Sequence, residues 1–209
     1  MDIKQKLLTL IPSKEAFLTD SYVSKVLESN RWSLHGDCLS GFIGDVLPHY
    51  DEVSHLLDKD IEDILSDQAF IQFFKYWLNL RYDYVVQALL DELSDGALCG
   101  DTLTINRSMY LTEEDAHKVC SGAKSDVGIY WSTGYSDAYN ADLAEIKTMK
   151  MYVIIAKVSI TNVNWHETLV SRFDYCNGDQ EMEINLSGMP NPTIIDIEDD
   201  SGTPLKLAA

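Results

Sequence analysis

The spacing of apolar residues changes near residue 98, and this change constrains the fold more than any other feature of the chain. Between residues 3 and 95, apolar side chains recur at intervals of three and four, as in Ile61, Ile64 and Leu65, which is typical of amphipathic helices. The segment from Thr102 to Arg107 alternates with period two and is rich in β-branched residues, as in a strand. We therefore predict an α+β protein with a helical region over 1–98 and a strand-rich region over 99–209.

The predicted helical region contains a dense group of aromatic residues. Its members lie between residues 70 and 84: Phe70, Phe73, Phe74, Tyr76, Trp77, Tyr82 and Tyr84. A buried helix core is the favoured interpretation, and a binding groove is the alternative. Asp60 is placed to cap the start of a helix, and Gly96 is placed to end the last one.

The second region contains several short strands joined by turns, and two predicted helices. Thr112 opens a capping box before one helix, and a second helix is predicted over 136–146. Strands are predicted at Thr102–Arg107, Val127–Trp131, Met151–Ile160, Thr168–Phe173, Glu181–Leu186, Thr193–Ile197 and Pro204–Leu207. Because the connections are short, we expect mainly antiparallel pairing.

The chain is strongly acidic, with a formal net charge of −18 that is spread over both halves. This charge opposes direct binding to nucleic acid and favours a basic partner surface, although most acidic residues on a protein of this kind are simply solvated. No apolar stretch approaches the roughly 20 residues that a membrane-spanning helix needs.

The cysteines indicate neither a disulfide framework nor a metal site. Cys38, Cys99, Cys120 and Cys176 are widely separated, and no histidine stands at metal-ligand spacing from them. The first residues also lack the apolar core of a secretory signal. We therefore expect reduced thiols, no metal and a cytoplasmic protein.

Two glutamates near the C-terminal end form the most informative motif. In the segment 178–186, Met182 and Ile184 alternate with Glu181 and Glu183, so a strand would place both carboxylates on one face. At about 7 Å between such positions, the two groups can reach one small ligand together. A solvent-facing strand edge would contain the same pattern, so the motif alone is a weak signal.

Taken in order, Arg107, the pair Ser132-Thr133 and the Glu181-x-Glu183 motif resemble the series found in mono-ADP-ribosyltransferases. The segment 130–138 looks like the serine-bearing strand of that family and the helix after it. The resemblance covers residues 101–198 and implies a mainly antiparallel, β-sandwich-like ADP-ribosyltransferase core, which uses NAD+ as a substrate and modifies a protein side chain.

The resemblance also implies roles for the matched residues. Glu183 would stabilise the positive charge that develops on the ribose, as a carboxylate does in glycoside hydrolysis, and Glu181 would activate an acceptor, which in this family is arginine. Arg107 would bind the pyrophosphate, Ser132 would orient Glu183, and Thr133 would support the strand edge.

Aromatic residues around the motif are the remaining candidates. Tyr135 is the candidate for contact with nicotinamide, while Tyr175 and Phe173 precede the glutamates in a segment suited to recognising the acceptor protein. The chain departs from the family at Ser108 and Gly134, where glycine and a hydroxyl residue are common.

The sequence thus predicts an NAD+-dependent transferase acting on a basic or arginine-bearing target protein, with the helical region as a cap or docking surface. The alternative is a non-catalytic acidic inhibitor that binds a basic, nucleic-acid-binding surface of a partner. A glycosidase is disfavoured, because two carboxylates on one side of one strand do not flank a sugar bond.

Overall fold

Helices fill the first half of the chain, and an antiparallel sheet occupies most of the second. The computed structural model describes residues 2–28, 37–124, 127–134, 141–173 and 182–205. The first-half helices are α1 (Ile3–Leu10), α2 (Lys14–Phe17), α3 (Asp20–Glu28), α4 (Asp37–Asp45), α5 (Asp51–Ser54), α6 (Ile61–Ser66) and α7 (Gln68–Glu92). The second half contains β1 (Leu98–Cys99), β2 (Thr102–Leu111), α8 (Glu113–Cys120), β3 (Tyr130–Ser132), β4 (Lys150–Ser159), α9 (Trp165–Arg172), β5 (Glu183–Asn185) and β6 (Thr193–Asp199). The α+β class and the order of its two halves are confirmed.

Helix α7 is the centre of the helical half. It runs for 25 residues and buries one full face, including Phe70, Phe74 and Trp77. The ring of Phe42 on α4 packs edge-on against these three side chains, with centroid distances of 5.0 to 6.3 Å. Most of the aromatic group is therefore part of the core, as the helical spacing predicts. Edge-to-face packing is favourable between buried rings.

The ends of the helices follow local capping chemistry. Asp67 accepts a hydrogen bond from the Ala69 amide at 2.9 Å and caps α7. Asp60 occupies the N-cap position of α6, but its side chain makes no capping hydrogen bond. Gly96 has a φ of +107° in the irregular turn after α7, a conformation that glycine adopts easily.

The sheet has the strand order β5-β3-β2-β4-β6, with β1 paired to the start of β2. Strands β2 and β4 pair over their full length, from Thr102 opposite Ser159 to Leu111 opposite Lys150. One face of this pair is lined by buried apolar side chains such as Ile105 and Ile154. All strands among the described residues belong to this one sheet, so they do not include the second layer of a sandwich.

The segment 168–173 is a helix, and the prediction of a strand there is wrong. The Asn164 side chain caps α9 by accepting a hydrogen bond from the Glu167 amide at 3.2 Å. The buried residues of α9 are Trp165, Thr168, Leu169, Val170, Ser171 and Arg172. Because the last five are consecutive, burial does not distinguish a helix from a strand here, and the Asn164 cap is the local signal that favours a helix.

Other predicted elements are shorter than expected. The strand predicted from Val127 begins only at Tyr130. The predicted helix over 136–146 corresponds to a single 3₁₀ turn, Ala141–Glu145, in the part of that range that the structure describes. At the end of the chain, Pro204 forms only an isolated bridge with Glu198.

The two halves share one continuous core. The Phe17 ring stacks on Phe173 at 4.7 Å and also packs against Tyr82, whose hydroxyl donates to the Pro12 carbonyl. Buried apolar residues on both sides of residue 98 belong to the same cluster. No helix in the described ranges is long and apolar enough to cross a membrane.

The ion pair at the start of α7 makes stability depend on pH. The Lys59 ammonium, 2.7 Å from Asp67, and the Ala69 amide hold the pKa of the Asp67 carboxyl below its usual value of 3.8. A carboxyl with a lowered pKa stabilises the folded protein above pH 3.8, and this contribution is lost as the pH falls through the folded-state pKa. We expect Asp67→Asn, which keeps the capping oxygen, to lower the Tm at pH 7, and we expect this effect to shrink as the pH falls below 3.8.

The control is Asp58→Asn, which removes the same charge from an exposed position outside this cap. Thermal unfolding of the two variants and the parent protein at several pH values provides the comparison. An Asp67→Asn difference that is equal at pH 7 and at pH 3 would contradict the electrostatic explanation.

Candidate functional site

Ser132 and Glu183 face each other on neighbouring strands. They are direct partners in the antiparallel pairing of β3 with β5, so their side chains project from the same face of the sheet. Ser132 is 1% exposed and Glu183 is 9% exposed. The Ser132 hydroxyl oxygen accepts a hydrogen bond from the Gly134 amide at 3.0 Å. The structure therefore brings these two predicted site residues together.

Asn106 extends this pair into a polar row across three strands. It lies opposite Ser132 in the pairing of β2 with β3, and its side-chain amide donates to the Gly134 carbonyl at 2.7 Å. Because directly paired residues share a face, Asn106, Ser132 and Glu183 form one row. The sequence analysis missed Asn106, since the resemblance drew attention to the residue beside it.

Arg107 projects from the opposite face of the sheet. It follows Asn106 on β2 and lies opposite Ile154 on β4, among the buried apolar side chains. Successive residues of a strand point to opposite faces, so Arg107 cannot share the face of Ser132 and Glu183. The expectation that Arg107 lines one pocket with these two residues is corrected by this register.

The Arg107 guanidinium packs against the segment before β3. The residue is 3% exposed, and its Nη1 donates to the Tyr130 carbonyl. The guanidinium also lies against Gly128, where a Cβ atom would be 2.7 Å from the Arg107 Cζ. Gly128 has a φ of +81°, which favours glycine, so both backbone and space require glycine at this position.

Thr133 and Arg172 connect the two site strands to helix α7. The Thr133 hydroxyl donates to the Glu92 carboxylate, and the Thr133 amide donates to the Met182 carbonyl at 3.2 Å. Arg172 forms a salt bridge with Glu92 and also donates from Nε and Nη2 to the Glu183 carbonyl, at 3.3 and 3.1 Å. Thr133 thus links the end of β3 to α7 and to Met182, whereas Glu92 and Arg172 were missed because no local pattern links positions so far apart.

The backbone before Glu183 is not that of an extended strand. Met182 has a φ of +46°, and β5 begins only at Glu183. The argument that alternation places Glu181 and Glu183 on one face required an extended Met182, so that argument fails. The Met182 thioether lies over Gly134, where an added Cβ would be 2.5 Å from its sulfur. A side chain at position 134 would therefore require the Met182 side chain to move.

Three of the predicted site residues, Glu181, Tyr135 and Tyr175, lie outside the described residues. Phe173 is described, and it is fully buried and stacked on Phe17. Its predicted contact with an acceptor protein is therefore wrong, because the ring belongs to the core between the helical half and α9.

A cavity of about 320 Å³ lies between the end of α8 and the segment 191–194, and it contains none of the predicted site residues. Among the described residues, no three His, Cys, Asp or Glu side chains are grouped so that they could hold a metal ion.

Comparisons with known proteins find no matching family model, no matching curated protein and no matching solved structure. The resemblance to mono-ADP-ribosyltransferases therefore depends on the residues and geometry described above.

The close contact between Gly128 and Arg107 leads to a stability prediction. Gly128→Ala should lower the free energy of unfolding by about 1–3 kcal/mol for the strained backbone, with a further loss from displacing the guanidinium. Gly122→Ala is the matched control, because Gly122 has a φ of +74° but open space around the added methyl group. Urea unfolding of both variants measures the difference, and equal losses would show that the Arg107 contact contributes nothing.

Proposed function

We propose that this chain is an NAD+-dependent ADP-ribosyltransferase in which Glu183 is the catalytic carboxylate and Ser132 orients it. The observation that supports the proposal best is the direct pairing of Ser132 with Glu183 on adjacent strands. The strands that carry glutamate, serine and arginine are also consecutive neighbours, β5-β3-β2, in the sheet. Ser132 and Glu183 are 51 residues apart in the chain, so their spacing alone does not make them partners.

The polar row suits the chemistry of a ribose. Carboxylate, hydroxyl and amide groups from Glu183, Ser132 and Asn106 supply both acceptors and donors for sugar hydroxyls. Cleavage of the bond between nicotinamide and ribose develops positive charge on the ribose in the transition state. A carboxylate that is largely removed from water stabilises such charge more strongly than one in bulk solvent.

Arg107 has a different role in this proposal from the one the resemblance implies. Its guanidinium donates to the Tyr130 carbonyl at the start of β3, on the face away from Glu183. Arg107 therefore acts by fixing the backbone that leads into Ser132. The pyrophosphate of NAD+ would need donors other than Arg107 on the Glu183 face.

The acceptor in this proposal is a side chain of a basic target protein, with arginine as the expected residue. The new bond forms between an acceptor nitrogen and C1′ of the ribose as the bond to nicotinamide breaks, and nicotinamide leaves with that electron pair. The acceptor nitrogen loses one proton, and Glu181 is the residue that we expect to accept it. A net charge of −18 favours approach of a basic target.

Replacing the proposed catalytic carboxylate tests the proposal directly. Glu183→Gln should lower the rate of nicotinamide release from NAD+ by about 10²- to 10³-fold, the effect of losing one preorganised transition-state contact. The matched control is Glu198→Gln on β6, which makes the same change at the far edge of the same sheet. If the parent protein releases no nicotinamide in the presence of a cell lysate, or if Glu183→Gln is fully active, the proposal is overturned.

The proposed division of labour between the two glutamates gives a second prediction. Glu181→Gln should preserve NAD+ hydrolysis while it suppresses transfer to an acceptor, because water needs less activation at this centre than a protonated guanidinium. Nicotinamide release and incorporation of labelled ADP-ribose into protein are measured in parallel. Equal loss of both activities would contradict a separate acceptor role for Glu181.

A further inference from the structure

We propose that Arg172 and Glu92 are positioning residues that fix the backbone of Glu183, so that the helical half completes the site. The claim that these two residues affect catalysis rests on the proposed function. The claim that they hold the backbone of β5 does not.

Strand β5 is short and lies at the end of the sheet. It has three residues, and among the described residues β3 is the strand that it pairs with. Helix α9 covers its other side with individual side-chain and backbone groups. The Asn185 amide donates to the Thr168 hydroxyl at 2.9 Å, and the Asn185 carbonyl accepts from the Asn164 amide at 2.9 Å.

Arg172 completes this edge at Glu183 itself. Its Nε and Nη2 donate to the Glu183 carbonyl at 3.3 and 3.1 Å. Because the carbonyl and the side chain of one residue share a Cα atom, holding the carbonyl restricts the direction in which the carboxylate projects. Only the planar fork of an arginine can donate in this way and bind a carboxylate with its remaining donors.

Glu92 holds Arg172 in place from the last turn of α7. Both guanidinium ends contact its carboxylate, with Nη2 at 3.0 Å from Oε1, and the two side chains are 6% and 13% exposed. The same carboxylate accepts the Thr133 hydroxyl. One buried carboxylate thus links α9 and the end of β3 to the helical half.

The link through Thr133 reaches the residue just before Glu183. The Thr133 amide donates to the carbonyl of Met182, which has a φ of +46°. A non-glycine residue in this conformation persists only when its surroundings hold it. The backbone on both sides of Glu183 is therefore constrained by groups that converge on Glu92.

The test uses Arg172→Lys in the full chain, because lysine keeps the charge but lacks the fork that reaches both partners. We expect the turnover number for nicotinamide release to fall by about 10²-fold, with little change in the KM for NAD+, since a small displacement of a reacting group has this effect. Hydrogen exchange should accelerate in 182–186 while the amides of β2 and β4 keep their protection.

Two matched controls separate this effect from general changes to the protein. Arg81→Lys makes the same substitution on α7, and Asp83→Asn, the control for Glu92→Gln, removes an exposed carboxylate from the same helix. Neither should change turnover or exchange in 182–186. Glu92→Gln should reproduce the effect of Arg172→Lys.

The outcomes distinguish the inference from the proposed function. A parent protein that releases no nicotinamide refutes the function, and exchange in 182–186 then still decides whether Arg172 and Glu92 hold β5. Unchanged turnover and unchanged exchange in Arg172→Lys would overturn the inference. Faster exchange throughout the sheet together with a lower Tm would also overturn it, because the variant would then be destabilised as a whole. If Arg172→Lys does not fold, Thr133→Val provides the same readouts with a smaller perturbation.

Discussion

The buried ion pair between Arg172 and Glu92 is the interaction on which the arrangement of the site depends. It joins Glu92 in the last turn of α7 to Arg172 in α9, two residues that are 80 positions apart in the chain. Removing one member of such a pair costs about 3–5 kcal/mol, because the other charge is left buried without compensation. An apolar pair of similar size would stabilise the contact equally well. The charged groups additionally fix the orientation of the strand, since one guanidinium reaches both the Glu92 carboxylate and the Glu183 carbonyl.

A second arginine, Arg107, stabilises β3 in a similar way, from the face of the sheet opposite Glu183. Arg107 donates to the Tyr130 carbonyl at the start of β3, as Arg172 donates to the Glu183 carbonyl at the start of β5. Each of these strands has only three residues, so its ladder of backbone hydrogen bonds is short. In a chain with 16 basic and 34 acidic residues, two buried arginines thus stabilise the two strands that carry Ser132 and Glu183.

Much of the fold could be predicted from local patterns. The change of period near residue 98, the strands predicted at 102–107 and 151–160 and the Thr112 cap of α8 all follow from short-range rules. The same rules failed at α9, because the strand predicted over 168–173 is helical up to Arg172. They also failed at Met182, because a positive φ at a non-glycine residue has no signature in the sequence.

The difference between what the sequence predicted and what it could not predict is clearer in the candidate site. The order of arginine, serine and glutamate along the chain suggested a common site, and in the structure these residues lie on three neighbouring strands, with Ser132 opposite Glu183. It could not indicate the face on which Arg107 lies, because a shift of one residue in register reverses every side chain of a strand.

By itself, the sequence determined the α+β fold class, the order of its two halves and much of the core of the helical half, since these depend on periodicity and local propensity. Only the tertiary structure decided that Arg107 faces away from Glu183, that Phe173 is core, and that Glu92 and Arg172 hold the site strands. Those outcomes depend on strand register and on contacts between residues far apart in the chain, and neither leaves a periodic trace in the sequence.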